Sequence, residues 1–300
     1  MKPTTISSQI LRTWKLLPLI IRAVLCGFLV SSIGIAAWGL LLSVYTAPWS
    51  ILPMIVVLWA YWKFFSGSWG TKKSAETRRS YFRMTKLSPS VWKWGLGCAI
   101  LFVIIVQASF VITFRIIDFP TEKFTADYKT LDSLPKWVAW AILIMSSIVA
   151  GICEETGFRG YMQVPLEKKY GPAPAIILTS VVFMLIHLSH SWAAPILPHI
   201  FFASLLLGIL SYKSGSLIPG IIGHSILDIF DYSFWWTDLT GGFQKQTLFK
   251  TGIDLHFIIW ALVFLLALFV FLRAIARLKP GNGKFHSQLQ AGEINYAMDI

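Results

Sequence analysis

Three short groups of chemically active residues lie within hydrophobic stretches of the chain. They are Glu154-Glu155-x-x-x-Arg159, Phe183-x-x-x-His187 and His224-x-x-x-Asp228. Ionisable groups in a hydrocarbon environment are costly, and they are retained mainly where they have a function. Carboxylates and imidazoles can take a proton from water and can stabilise charge that develops during hydrolysis. The three groups therefore indicate a hydrolytic site within a membrane.

The spacing of the first group separates a supporting pair from a candidate base. Residues four apart on a helix share a face, so Glu155 and Arg159 form an ion pair with the acid in the favourable N-terminal position. Glu154 points in another direction and has no obvious partner on its own helix. We predict that Glu154 is a general base, while the Glu155–Arg159 pair more often joins helices than takes part in chemistry.

The other two groups add polar side chains from two further helices. Phe183 and His187 share a helix face, as do His224 and Asp228, so three helices can direct these groups into one interior cavity. Taken alone, a buried histidine is more often a hydrogen-bonding group between helices. The combination favours a functional site. The remaining histidines considered, which we interpret as interfacial or as helix-end residues outside the site, are His190, His199 and His256.

The composition identifies an integral membrane protein. The chain is 56% hydrophobic and 13% charged, and it contains 14 Trp, which is too little polar surface for a soluble globule. Although the net charge is +12, the basic residues cluster between apolar runs, as in cytoplasmic loops. Nucleic acid is therefore not an expected partner. Three cysteines lack the spacing of a metal or redox motif and are interpreted as buried side chains: Cys26, Cys98 and Cys153.

Apolar segments of spanning length predict an all-α fold, a polytopic membrane helix bundle of about eight transmembrane helices with an intramembrane catalytic cavity. The predicted helices run approximately from Ala23 to Val44, Ala47 to Trp62, Trp94 to Phe114, Trp137 to Phe158, Gly171 to His190, Pro195 to Tyr212, Leu217 to Phe234, and Leu255 to Leu272.

The distribution of basic residues predicts the orientation. The connection between residues 63 and 86 carries seven Lys and Arg residues and is expected in the cytoplasm, which places both termini there. We expect a bacterial inner membrane. Residues 1–300 are expected to form a single membrane domain with a catalytic core at 137–232. A polar tail at 281–300 and a Gly- and Thr-rich loop from Asp238 to Lys250 are expected to be soluble appendages.

The predicted boundaries place two site residues at different depths. Glu154 lies about 26 Å along a helix that starts outside, whereas His187 lies about 24 Å along the next helix, which starts inside. The first residue is thus expected near the cytoplasmic boundary and the second near the opposite one. Tilted or offset helices around an open cavity would reconcile the two depths.

The three motifs, in this order on successive apolar segments, resemble the CPBP family. This family comprises the CAAX-prenyl-protease-like intramembrane proteases, also called Abi proteins, whose pattern is Glu-Glu-x-x-x-Arg, Phe-x-x-x-His and His-x-x-x-Asn/Asp. The resemblance covers roughly the stretch from Trp137 to Tyr232. Three motifs in order within a membrane context are much more specific than any single one.

The resemblance implies a role for each matching residue. Glu154 matches the glutamate that activates the attacking water, and His187 matches its partner in holding that water. His224 and Asp228 match the pair that stabilises the oxyanion. The supporting residues in the family pattern are Glu155, Arg159 and Phe183.

Asp228 departs from the commonest family residue, which is Asn. An ionised carboxylate would repel an oxyanion, so three interpretations stay open: Asp228 is protonated and donates, it accepts from the His224 ring and fixes the tautomer, or it helps to bind a cation. The family has been described both as metalloproteases and as metal-independent glutamate-type enzymes. A divalent metal such as zinc is therefore a possible cofactor, with the ligand set Glu154, His187, His224 and Asp228.

Two other classes of function compete with a protease. A binding scaffold of the bacteriocin-immunity type would use the fold without turnover, and a transporter would use the ionisable residues to relay protons. The complete polar set argues against the scaffold, and the absence of inverted repeats argues against the transporter. For a protease, the expected partners are the lipid bilayer and a membrane-associated protein or peptide, such as a prenylated CAAX-like or a bacteriocin-like substrate.

Overall fold

The computed structural model describes residues 13–45, 47–83, 87–126, 129–235 and 246–278, and within these ranges the chain forms helices and no strand. The predicted all-α helix bundle is confirmed. The tail at 281–300 and most of the loop from Asp238 to Lys250 lie outside the described residues. The single-domain organisation with a core at 137–232 stays a prediction.

Nine helices of ten residues or more form the framework of the described part. They are α1 (Leu19–Val44), α2 (Ile51–Phe65), α3 (Lys72–Tyr81), α4 (Pro89–Ile116), α5 (Lys136–Tyr170), α6 (Pro172–Ile186), α7 (Leu197–Ser214), α8 (Ile218–Trp235) and α9 (Leu255–Ile275).

Each of the eight predicted apolar segments corresponds to one of these helices. Among the described residues, six helices are long and apolar enough to cross a membrane by length and composition, namely α1, α4, α5, α6 extended by its 3₁₀ turn to Ser189 (18 residues), α7 and α9. Helix α2 has only 15 residues, and α8 carries ionisable side chains in its interior. The chain is an integral membrane protein, and six of the eight predicted spans meet the length and hydropathy expected of a crossing helix.

The predicted end of the fourth span at Phe158 is wrong. Residues Glu155–Met162 form a wide π-helical segment, after which the helix continues to Tyr170. Lys168 and Lys169 lie in the last turn of this helix, where a positive charge complements the helix dipole.

This extension removes the predicted disagreement in depth. Helix α5 ends at Gly171, whose φ of 83° favours glycine, and Pro172 starts the antiparallel helix α6. Glu154 lies 16 residues before Tyr170, and His187 lies 16 residues after Gly171. Both side chains are therefore at a similar distance from the turn, about 24 Å along their helices.

Glycines let the neighbouring helices approach α5 on both sides of the π segment. A Cβ added at Gly27 of α1 would lie 2.7 Å from the Met162 Cβ, and one added at Gly157 would collide with the Gly27 carbonyl oxygen. A Cβ at Gly151 would collide with the Ser225 hydroxyl of α8. Small residues at such crossings are typical of packed membrane helices, and here they bring α1 and α8 against the centre of α5.

Two arginines of the basic connection between residues 63 and 86 are buried and hold it against the bundle. Arg83 lies 2.6 Å from the Glu167 carboxylate of α5, and Arg78 donates to the backbone carbonyls of Phe64 and Thr71. The predicted excess of positive charge in this connection thus serves partly in packing, while its cytoplasmic location stays a prediction.

Candidate active site

A cavity of about 390 Å³ lies between α4, α5, α6, α7 and α8. The four predicted catalytic residues and Phe183 all line it, namely Glu154, His187, His224, Asp228 and Phe183. Three motifs that are separated by up to 74 residues in the sequence are therefore brought to one interior space.

Glu154 and Glu155 are neighbours with different environments. Glu154 is the last residue before the π segment, and its side chain is 17% exposed to the cavity. Its Oε2 lies 3.8 Å from Nε2 of His224, which leaves the carboxylate accessible to a small molecule in the cavity. Glu155 begins the π segment and is fully buried. Wide helical turns of this kind occur frequently at functional sites.

Glu155 is at the centre of a buried polar network. Its Oε1 accepts hydrogen bonds from Arg159 Nη1 at 2.9 Å and from His224 Nδ1 at 2.9 Å. The predicted Glu155–Arg159 ion pair is present, and Arg159 also donates to the Ser204 hydroxyl of α7 at 2.8 Å. Gly220, four residues before His224, leaves room for the carboxylate, because an added Cβ would lie 3.0 Å from Glu155 Oε2.

His187 is oriented by its own helix end. Its Nδ1 lies 2.8 Å from the Phe183 carbonyl oxygen and donates to it, because a carbonyl can only accept. This contact occurs where α6 tightens into the 3₁₀ turn His187–Ser189. The Nε2 atom of a neutral His187 then carries the lone pair and is free to hold a water or a substrate group.

The Phe183 ring fills the space between the charged and aromatic groups of the site. The Arg159 guanidinium lies 4.5 Å from the ring centroid, in a cation–π arrangement. The rings of His187 and His224 lie 4.8 and 6.2 Å away. Phe183 therefore packs beside both imidazoles.

Asp228 does not set the tautomer of His224, so one of the three interpretations from the sequence is wrong. Its Oδ1 lies 3.8 Å from His224 Nε2, beyond hydrogen-bonding distance. The ring is fixed instead by the hydrogen bond that its Nδ1 donates to Glu155. The carboxyl of Asp228 instead lines the cavity, where it can contact a bound group.

The predicted metal ligands meet only some of the requirements of a zinc site. Their atom types suit zinc, and both histidines are oriented through Nδ1, as metal-ligating histidines usually are. However, among the residues that the structure describes, no group of three or more His, Cys, Asp and Glu side chains is arranged to hold a metal ion. These side chains do not form a metal position, and the ligand set Glu154, His187, His224 and Asp228 stays a prediction.

The cavity also contains polar residues that the sequence motifs did not identify. His190 and His199, predicted to lie outside the site, both line it, as do Asp231 and Tyr232. A signal for Asp231 exists in the sequence, since it lies seven residues after His224 and so on the same face of a helix. His199 has no such signal, because its partner Ser109 lies 90 residues away.

Comparison with protein families gives one match. Residues 135–230 match the model of a family described as type II CAAX prenyl endopeptidase Rce1-like. The matched segment contains all seven residues predicted from the motifs, but not α4 or Asp231. Neither the curated proteins nor the solved structures gave a match.

Proposed function

We propose that this chain, which the match over residues 135–230 identifies as a member of the CPBP family of CAAX-type proteases, is an intramembrane endopeptidase that hydrolyses a peptide bond with a glutamate-activated water. The observation that carries the proposal is the convergence of Glu154, His187, His224 and Asp228 on one cavity. This combination provides a base, two imidazoles and a further polar group for a single reacting carbonyl.

The reaction begins with a proton transfer to Glu154. Its carboxylate takes a proton from a water molecule in the cavity while the hydroxide adds to the scissile carbonyl carbon. Nε2 of His187 accepts a hydrogen bond from the same water and orients it. The protonated Glu154 then delivers the proton to the departing amine nitrogen, so that water is consumed and no acyl-enzyme forms.

The negative charge that develops on the carbonyl oxygen is stabilised by His224 and Asp228. When Nε2 of His224 carries a proton, it donates to this oxygen, and a protonated Asp228 adds a second donor. Glu155 keeps the His224 ring in place from the opposite nitrogen. Glu155, Arg159 and Phe183 are therefore positioning residues in the proposal.

The proposed substrate is a membrane-associated protein or peptide that enters from the lipid bilayer. Apolar side chains form much of the cavity wall, including Val106, Phe110, Ile196 and Leu227. Such a wall suits either a prenylated CAAX-like peptide or a bacteriocin-like one. We place the protein in a bacterial inner membrane with both termini in the cytoplasm, on the basis of its basic connection between residues 63 and 86.

The test compares peptide termini in host membranes that contain the wild-type protein or Glu154→Gln at matched expression. Mass spectrometry is expected to find N- and C-termini that are present only with the wild type. Glu76→Gln, which changes an exposed glutamate of α3, is the matched control and is expected to give the wild-type set. Identical termini with all three folded proteins would reject the protease and favour a scaffold, and altered ion flux without new termini would favour a transporter.

A further inference from the structure

A second polar group lines the cavity beyond the four proposed catalytic side chains. Asp231 follows Asp228 by about one turn of α8 and lines the same cavity. Its Oδ1 accepts a hydrogen bond from the side-chain amide Nε2 of Gln107, on α4. Gln107 and Asp231 both lie outside residues 135–230, so the family match assigns them no role.

Gln107 contributes an acceptor that is not satisfied. The residue is 6% exposed, and its buried Oε1 has no hydrogen-bond partner within the part of the chain that the structure describes. Nε2 of the same amide holds the Asp231 carboxylate. A buried acceptor without a donor is unfavourable, so Gln107 is kept here at a cost and fixes the position of Asp231 on the cavity wall.

His199 contributes another acceptor on the cavity wall. Its Nδ1 lies 2.8 Å from the Ser109 hydroxyl oxygen, and that hydroxyl donates its only proton to the Val106 carbonyl at 3.0 Å. Ser109 must therefore accept from His199 Nδ1–H. The neutral ring then keeps its lone pair on Nε2, and Nε2 is an acceptor.

The charge of the lining matches a cation. Three carboxyl groups face the cavity, from Glu154, Asp228 and Asp231, while the described residues that line it include no Lys or Arg. A positive group is stable in such a buried space only when carboxylates and further acceptors surround it.

We propose that Asp231, held in place by Gln107, and His199 form a specificity subsite that binds a positively charged side chain, Lys or Arg, of the peptide substrate near the scissile bond. The ammonium of Lys offers three N–H donors and the guanidinium of Arg five, and the Asp231 carboxylate and His199 Nε2 are acceptors for them. The inference rests on the proposed protease function and adds a preference to it: substrates carry a basic residue within a few positions of the cleaved bond.

The test uses palmitoylated decapeptides of apolar sequence that carry one Lys, Gln or Glu at successive positions. Cleavage is measured with the purified full-length protein in liposomes. Binding is measured separately with Glu154→Gln, so that the result does not depend on turnover. Asp231→Asn and Gln107→Met each alter the subsite, and Asp118→Asn, which removes an exposed carboxylate outside the cavity, is the matched control.

At one position, Lys is expected to improve both binding and kcat/KM over Gln by about tenfold or more, and Glu is expected to reduce both. Asp231→Asn and Gln107→Met should bring the Lys-to-Gln ratio close to one, whereas Asp118→Asn should keep it. The subsite is rejected if the wild type binds and cleaves the Lys and Gln peptides equally well. It is also rejected if the preference for Lys remains in both subsite variants. Lys-dependent binding that Asp231→Asn removes, without cleavage of any peptide by the wild type, supports the subsite and rejects the protease.

Discussion

Oε1 of Glu155 lies 2.9 Å from Arg159 Nη1 and 2.9 Å from His224 Nδ1, so one buried oxygen holds both an arginine and an imidazole of the cavity wall. The arginine belongs to the same π segment as Glu155, and the imidazole belongs to α8. Any change at Glu155 therefore alters both the stability of the bundle and the orientation of His224.

Glu155→Gln is expected to lower the free energy of unfolding by about 3–5 kcal/mol, because it leaves the charge of Arg159 buried without its counter-ion. The double variant Glu155→Leu/Arg159→Met removes both charges and is expected to recover most of that loss. It should still be inactive, since His224 has lost its Nδ1 acceptor. Thermal unfolding in detergent and the cleavage assay measure the two effects, and a stable, fully active double variant would contradict the positioning role of Glu155.

Asp228→Asn is expected to retain cleavage within about tenfold of the wild type, because an amide N–H can donate to the oxyanion as a protonated carboxyl does. Asp228→Leu, of similar size but without a donor, should reduce kcat by about 10²–10³. Steady-state kinetics on one peptide compare the two variants. Equal losses from both would show that the carboxyl itself is required and that donation to the oxyanion is not its role.

Gly157→Ala is expected to destabilise the bundle by about 1–3 kcal/mol, because the added methyl group would collide with the Gly27 backbone of α1. The matched control is Gly39→Ala in helix α1. The described residues leave open space around a Cβ added at this position. This control should be neutral or slightly stabilising, because Ala is the better helix former. Thermal unfolding of both variants provides the comparison, and equal melting temperatures would contradict the close packing at the π segment.

The ion pair between Asp254 and Arg115 at the start of α9 is expected to make the stability of the protein depend on pH. Bidentate hydrogen bonds from Arg115, together with the backbone N–H of Phe257, lower the pKa of Asp254 from 3.8 to about 2. Because the pKa is depressed on folding, this contribution is present above about pH 4 and is lost as the pH falls towards 2. The difference in melting temperature between the wild type and Asp254→Asn should therefore shrink between pH 4 and pH 2. A constant difference over that range would contradict the role of this ion pair.

Chelation tests whether the site uses a metal. Since the described side chains do not converge on a metal position, cleavage is expected to survive 1,10-phenanthroline and EDTA. Elemental analysis of the purified protein should find far less than one zinc per chain. Activity that is lost on chelation and restored by zinc would assign Glu154, His187, His224 and Asp228 as ligands instead.

The sequence predicted which residues line the site, but it did not predict the hydrogen bonds between them. Ionisable residues within apolar stretches must face a common interior, so the three motifs were sufficient to bring Glu154, His187 and His224 together. The hydrogen bond from His224 to Glu155 joins residues 69 apart on two helices, and no spacing within one helix predicts it. Helical periodicity relates positions within one helix, whereas contacts between helices depend on how the bundle packs.

The same reasoning explains the misplaced end of the fourth span. The polar stretch that begins at Glu155 has the composition of a helix terminus, and the prediction ended the span at Phe158. In the bundle the charges of Glu155 and Arg159 neutralise each other in the interior, so the helix can continue. Burial of the pair depends on the fit of Gly27 against Gly157, which only the packed structure reveals.

Helix α4 lies outside the family-matched segment, yet Val106 and Phe110 form part of the cavity wall, and Gln107 and Ser109 hold two of its polar groups. In the proposed protease, part of the surface that would contact the peptide is thus contributed by a helix outside the matched segment. If the proposed function holds, substitutions in α4 would alter the peptides that are accepted and leave the hydrolytic groups unchanged. A chimaera that exchanges only α4 is therefore expected to cleave with an altered peptide preference.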